Sequence, residues 1–359
     1  MILMLTRDKI VETVKYLEGI DGEDLSGIDL SQCRLVDATF YECNLSNANL
    51  SHINGKDATF ANCDLTGARF ESANLKSAVF ADCNLEKATF KGTRTSDFTI
   101  TKSKASFADF SETELTDCIF METDLAATNF KGSTLNGSTF MDCDMLEVDI
   151  RGTTLVKTTF FQMDMTELKL RGADFNTTMF VECDFSGMDL SGLNFTSAQM
   201  NSANLTGVNL TGANLTQTGL IESNLTEADL TGVTAPLAMF CKSTLHRARL
   251  DGAFLQNANF QEADLTAASL ARADLGVAVL NSANLTRATL NGARLGYALL
   301  AKANLTETDM RNTDVTFADL HDIVEDHTRW TGANRRKARK PDKELIEAER
   351  WTFERHLTR

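Results

Sequence analysis

The sequence predicts an all-β solenoid: a square coil of 20 residues wound about 15 times, with short helical caps at both ends. Three observations predict it. Of the 60 positions from 25 to 320 whose number divides by five, 56 are Leu, Phe, Ile, Met or Val. Two residues earlier, 49 of 60 positions are Ala, Cys, Ser or Thr. Sixteen of the 21 glycines fall on numbers ending in 2 or 7. A period of five fits neither the 3.6 of a helix nor the 2 of a flat strand. Each repeat therefore turns one large and one small side chain inward and then rounds a corner, where backbone angles favour glycine. Phenylalanine supplies the number of sides. It crowds the column 40, 60, 80, 120, 140, 160, 180, 240, 260, and a second column at 70, 90, 110 and 130, with Leu45, Leu65, Leu85 and Leu125 between them. Phe faces Phe across a core whose other walls are Leu, as four sides of five residues require.

The grammar of segments such as SANLTRATLNGARLGYALLAKANL, residues 282–305, resembles that of the pentapeptide-repeat family, and the likeness runs through about 300 of the 359 residues. The resemblance implies a right-handed quadrilateral β-helix. At a strand spacing of about 4.8 Å, 15 coils make a rod about 70 Å long. The lead-in GEDLSGIDLSQCRL, residues 22–35, also resembles pentapeptide proteins carried in type VI secretion gene clusters.

Taken in order, residues 1–20 hold a capping helix. Thr6 is the expected N-cap, Ile10, Val14 and Leu17 share a face, and Gly19 is the expected stop. Its role is to cover the first coil, whose apolar end would otherwise meet water. Residues 21–334 are the repeats. From 30 to 195 they are Phe-rich and less regular, failing at Gly55, Thr95 and Ala105, with Phe98 in a small slot. Gly55, Thr95 and Ala235 share one column, so bulges are expected along that side. Val148, Met163, Leu168, Met188 and Leu193 also invade the small slot, which predicts swollen coils between 145 and 200. From 201 to 320 the repeats are nearly ideal, interrupted around Pro236, which has no N–H for a ladder. The frame fails at Glu325 and returns once at Trp330, expected to close the lower end. Residues 335–359 are a basic linker, NRRKARK, and a helix opened by Pro341, with Leu345, Ala348 and Trp351 on one side.

Apolar residues make up 43% and charged residues 24%, and the net charge is −15, the balance of a soluble globular chain. No stretch approaches a transmembrane span, and Arg7, Asp8 and Lys9 interrupt the apolar start too early for a signal peptide. A cytoplasmic location is expected, with export by a signal-independent route as the alternative. Seven of the eight cysteines, Cys33, Cys43, Cys63, Cys83, Cys118, Cys143 and Cys183, stand in the small inward slot. They are expected to be reduced and buried.

No catalytic constellation is present: there is no GxxxxGK, GxGxxG, HExxH or CxxC. His321, Asp322, Asp326 and His327 are close in sequence, but without a supporting motif they read as a solvated cap loop. No enzyme activity, cofactor or metal is expected. Outward positions 2 and 4 of each coil, by contrast, gather acids. The candidate partner-binding edge is Glu42, Asp64, Asp82, Glu122, Asp124, Asp142, Asp144, Asp164, Glu182, Asp184, Glu222, Glu262 and Asp264. Fifteen acids stand there against four lysines. Residues 21–334 carry −19 and the tail +4.

The first functional reading is a protein-binding scaffold that meets a basic surface, with the secretion resemblance implying an effector or its delivery machinery. The second is mimicry of DNA, since the pentapeptide-repeat resemblance implies that some members bind DNA gyrase in this way and protect or inhibit it. Direct nucleic-acid binding is disfavoured by the acidic repeats. An end-to-end homodimer is compatible with either reading.

Overall fold

A computed structural model describes residues 5–339 and residues 342, 344, 346 and 347, with Arg94 described by its backbone only. The expected helix after Pro341 lies otherwise outside the described residues. The chain divides into two compact units, Met1–Asp184 and Phe185–Arg359.

The first unit opens with α1, Arg7–Lys15. Thr6 caps it, accepting a hydrogen bond from the Lys9 N–H, and Ile10 and Val14 are buried. The stop differs from expectation. Leu17, not Gly19, takes the left-handed conformation (φ 58°), and its side chain is 74% exposed rather than sharing the buried face. The Schellman-type end needs one residue at positive φ directly after the last turn, and Gly19 lies two residues too far on. Arg7 donates to the Ser31 carbonyl at 2.7 Å, which ties the helix to the first coil.

The repeats then wind as parallel β-structure with a period of 20. Phe40 pairs with Phe60, Phe60 with Phe80, Phe120 with Phe140 and Phe140 with Phe160. Every residue at a multiple of five from 25 to 320 is buried, the four core exceptions included. The two aromatic columns form as predicted. Phe40, Phe60 and Phe80 stack at 4.8–5.0 Å, and Phe70, Phe90, Phe110 and Phe130 at 4.4–5.1 Å. The columns meet edge to face, Phe70 on Phe80 at 5.5 Å, the arrangement that the ring quadrupole favours.

Corners follow one rule. Among the described residues every positive φ lies at a number ending in 2 or 7, and the glycines there number 16. At Leu45–Ala48 the Ala48 N–H donates to the Leu45 carbonyl while Asn47 has φ 57°. This is a turn with a left-handed third residue, the type II pattern. Asn44 completes it, accepting from the Ser46 N–H.

Strands occupy fewer coils than the expected 15. Nine strands, from Ile20–Asp21 to Met179–Val181, make one sheet of about eight turns, and four more, from Arg94–Ser96 to Thr154–Val156, make a second. The second unit keeps the ladder in single bridges 20 residues apart, such as Met239↔Asn259 and Val279↔Leu299. The reason lies at the corners. Cys43 donates its thiol to the Tyr41 and Ile20 carbonyls, and Thr123 does the same to Met121 and Ile100. The chain stays extended through those corners. At Ala203 and Ala263, and equally at Thr218, Ser223 and Thr308, the backbone N–H closes a tight turn instead and no strand extends.

The expected bulges are absent at the positions named. Gly55 is buried in register, and a Cβ there would meet Ile53 at 3.2 Å and Leu75 at 3.3 Å. Ile53, oversized for its slot, fills the space that Gly55 vacates. Thr95 turns its hydroxyl to the Leu75 carbonyl at 2.8 Å, while Phe98 fills the core beside it. Volume is thus conserved across one coil, and the backbone has no need to leave the ladder. Swelling does occur near 145. Column 4 is bridged at Asp124↔Asp144 and Asp164↔Asp184, but among the described residues no bridge joins Asp144 to Asp164. A cleft of about 220 Å³ opens there between Cys143, Met145 and Glu167. Cys143 is accordingly only half-buried, whereas the other six slot cysteines are buried. All eight are free thiols.

At the lower end Trp330 is half-buried rather than sealed in. Arg335 lies over its ring at 4.9 Å, and its indole N–H donates to Glu325.

Candidate protein-binding surface

The acidic positions owe their geometry to the corners. Those at position 2 sit on the left-handed residue itself: Glu42, Asp82, Glu122, Asp142, Glu182, Glu222 and Glu262 have φ of 48–59° and all are exposed. A side chain on that residue points away from both walls, so these carboxylates take no part in packing. Those at position 4 precede the turn. Asp64, Asp124, Asp144, Asp164 and Asp264 each accept the N–H of the second residue on, at 2.9–3.0 Å. One oxygen of each is therefore occupied by the turn. Sequence reasoning missed this role, although the frequent alternation of Asp with Asn at the position, two residues sharing only that acceptor oxygen, was its signal.

The residue that precedes a turn, at position 4 or at position 9 on the next side of the coil, shows what the ladder does when only folding is at stake. Asn44 donates its amide to Asp24 at 2.9 Å, and Asn49 to Asp29 and Asn129 to Asp109 at 3.0 Å. In the second unit Asn209 does so to Asp189 at 2.9 Å and Asn284 to Asp264 at 3.3 Å. An amide stacked on a carboxylate satisfies both. Hydrogen bonds from Ser26 and Asn44 hold the Asp24 carboxyl below its usual range, and Ser191 and Asn209 do the same for Asp189. Between 124 and 184 the pairing changes. Asp124 is bridged to Asp144 and Asp164 to Asp184, aspartate opposite aspartate on the backbone ladder, with Glu122, Asp142 and Glu182 beside them. Two like charges one strand spacing apart repel by about 1 kcal/mol even in water.

The candidates divide unequally between the units. Ten fall in the first, and only Glu222, Glu262 and Asp264 in the second, where Lys242 approaches Glu222 at 3.9 Å. The first unit holds 17 basic and 30 acidic residues, net −13, and the second 18 and 20, net −2. The acidic surface is thus a property of the first unit. Among the described residues no cluster of His, Cys, Asp and Glu has the geometry of a metal site. No helix among them is long and apolar enough to cross a membrane.

Comparison with known proteins agrees with the fold. A family profile described as a pentapeptide repeat region matches residues 33–110 and 113–184, and one described as pentapeptide repeats in eight copies matches 180–217, 220–257, 258–296 and 290–323. Among solved structures, HetL from the cyanobacterium Nostoc sp. strain PCC 7120, a pentapeptide repeat protein involved in heterocyst differentiation regulation, is 26% identical over 64% of this chain and 90% of its own, with a TM-score of 0.30. QnrB1, a plasmid-mediated fluoroquinolone resistance protein, is 22% identical over 44% of this chain and 84% of its own, also with a TM-score of 0.30. A pentapeptide repeat protein of the Arabidopsis thaliana thylakoid lumen is 33% identical over 27% of this chain and 63% of its own, with a TM-score of 0.24. No curated protein matches the chain. With profiles matching nearly all of residues 33–323, the chain belongs to the pentapeptide-repeat family.

Proposed function

We propose that the protein is a non-enzymatic binding scaffold whose first unit presents its acidic edge to a partner protein with a basic surface. The observation that carries this reading is that Asp stands opposite Asp on the backbone ladder at Asp124↔Asp144 and Asp164↔Asp184. Asn would serve the turn there through the same oxygen and relieve the repulsion, losing only, at 124, the second oxygen that accepts from the Ser106 hydroxyl at 2.7 Å. A charge arrangement that folding disfavours, present in two pairs of coils on either side of the break between Asp144 and Asp164, favours a use in recognition. The partner fitting the type VI secretion resemblance is an effector or a component of its delivery. To test the reading, Glu122, Asp124, Asp142 and Asp144 are changed together to Gln or Asn, and proteins captured from a lysate are identified by mass spectrometry. A basic partner held by the wild type and lost by the variant is expected. Retention by the variant, or equal loss when Asp274 and Asp314 are changed instead, removes the edge from the account.

A second reading, imitation of duplex DNA toward a topoisomerase, is favoured by the same stretch. Seven carboxylates in four coils, with Gln162 in the eighth place, set one charge about every 2.7 Å at a coil spacing of about 4.8 Å, against one per about 1.7 Å in a duplex. It predicts that the wild type, and not the neutralised variant, alters supercoiling by gyrase.

A further inference from the structure

The second unit carries a different surface, unconnected with the acidic edge. Residues 196–201, 216–221, 236–241, 256–261, 276–281 and 296–301 contain no charged residue, although charged residues form 24% of the chain. The same side is uncharged in six successive coils, while each of the other three sides carries charge in four of six. On it stand Leu237, Met239, Val277, Tyr297, Leu299 and, one coil on, Phe317. Leu237, Val277, Tyr297 and Phe317 are each about half exposed (49–52%), and the rings of Tyr297 and Phe317 lie 5.1 Å apart.

Neither packing nor the turn asks for these side chains. Leu237, Val277, Tyr297 and Phe317 occupy the left-handed corner, with φ of 58–62°. That conformation costs an L-residue about 1–2 kcal/mol, and a β-branched one such as Val277 is an outlier there. Gly232, Gly252 and Gly292 show what the neighbouring corner column uses when only the turn matters. Gly276 and Gly296, ahead of Val277 and Tyr297, leave the surface beside the stripe without side chains.

The dimensions select the occupant. Four coil steps separate Leu237 from Phe317, about 19 Å at strand spacing, and one extended side is about 10 Å across. That footprint falls well short of the roughly 800 Å² per partner that a stable interface between folded proteins needs, so a second copy of this chain is poorly served by it. It matches an α-helix, about 10 Å wide, whose turns recur every 5.4 Å against coils every 4.8 Å or so. We propose that this uncharged side of the second unit is a docking face for an amphipathic helix of a partner protein. The helix lies along the coil axis, is about 13 residues long, and presents apolar residues at i, i+3, i+4 and i+7 to Leu237, Val277, Tyr297 and Phe317, with a polar residue facing the exposed Asn257 of the coil between Leu237 and Val277.

The proposal stands or falls apart from the acidic edge, and its test uses the full chain. A display library of 18-residue peptides patterned as amphipathic helices is selected on the protein, and the winners are mapped by hydrogen exchange. Binders that protect residues 277–317 and lose at least tenfold in affinity with Tyr297→Glu and Phe317→Glu are expected, with no change for Glu122→Gln. Val277→Gly serves as the folding control. It relieves the corner, so it should leave thermal stability equal or higher while weakening the peptide. No enrichment of helical patterns, or binding indifferent to both Glu substitutions, overturns the proposal. So does a concentration-dependent dimer in sedimentation that Tyr297→Glu dissolves, which assigns the face to a second copy. An affinity gain of tenfold or more on Trp351→Ala in the full chain also overturns it, assigning the face to the chain's own C-terminal segment.

Discussion

At the scale of the residue, a position's place in the five-residue frame decides what a substitution does. Leu215 is fully buried in a core one coil wide. A carboxylate there would have no partner and no route to water. Leu215→Asp should cost more than about 4 kcal/mol, the range reserved for buried charge, and chemical denaturation would read it as a collapse of the transition midpoint. The cysteines respond to pH. Burial pushes the Cys118 and Cys183 thiols up to about 12. The folded state therefore holds protons that the unfolded state releases, and stability falls as pH rises from about 9 toward 12. Cys118→Ala with Cys183→Ala should flatten that decline in pH-dependent urea titrations. In native protein at pH 8 both should react with a thiol reagent far more slowly than the half-exposed Cys241.

At the scale of the element, the corner is the unit that explains most, and it separates structural acids from the rest. Asp124, Asp144 and Asp164 each serve a turn through one oxygen, an oxygen that Asn also has. The triple change to Asn should keep every turn and remove the stacked repulsion. We expect the melting temperature to rise by a few degrees, whereas Ala at the same three positions should lower it, since the N–H groups lose their acceptor. A fall with Asn would mean that the carboxylates serve the fold, and that the edge is no sign of function. This division was only half legible in the sequence. The inward frame, the phenylalanine columns and the glycine corners could be read directly, because a buried position tolerates few residue types and the period repeats the message. What could not be read were compensations between neighbours. Ile53 fills in for Gly55, and Phe98 stands beside Thr95, so a column of apparent failures foretold bulges that volume conservation prevents. Nor did the frame tell Leu17 from Gly19 at the end of α1, since either residue ends a helix when tertiary contacts hold it there. The apolar stripe also escaped notice, because Leu237 and Tyr297 look unremarkable in a chain rich in apolar residues until their corner position is known.

At the scale of the whole molecule, charge is shared unequally, and this gives the two proposed surfaces opposite physical signatures. The first unit carries −13 and the second −2. A basic partner is drawn to the first by a field reaching about 30 Å at 0.01 M salt and about 8 Å at 0.15 M. Long-range attraction acts on encounter, so salt should act mainly on the association rate. The uncharged side of the second unit has no such field, and what it offers is removal of apolar surface from water, which moderate salt hardly alters. Stopped-flow association measured across that range should slow at least tenfold for a ligand of the acidic edge. For a helix on the Leu237–Phe317 stripe it should change by less than about threefold. The heat-capacity change should separate them in the same direction, being clearly negative for the helix and small for the basic ligand. If both ligands slowed alike with salt, the charge of the whole chain would govern both. Two separate surfaces would then be the wrong description, and the assignment of recognition to particular coils would have to be abandoned.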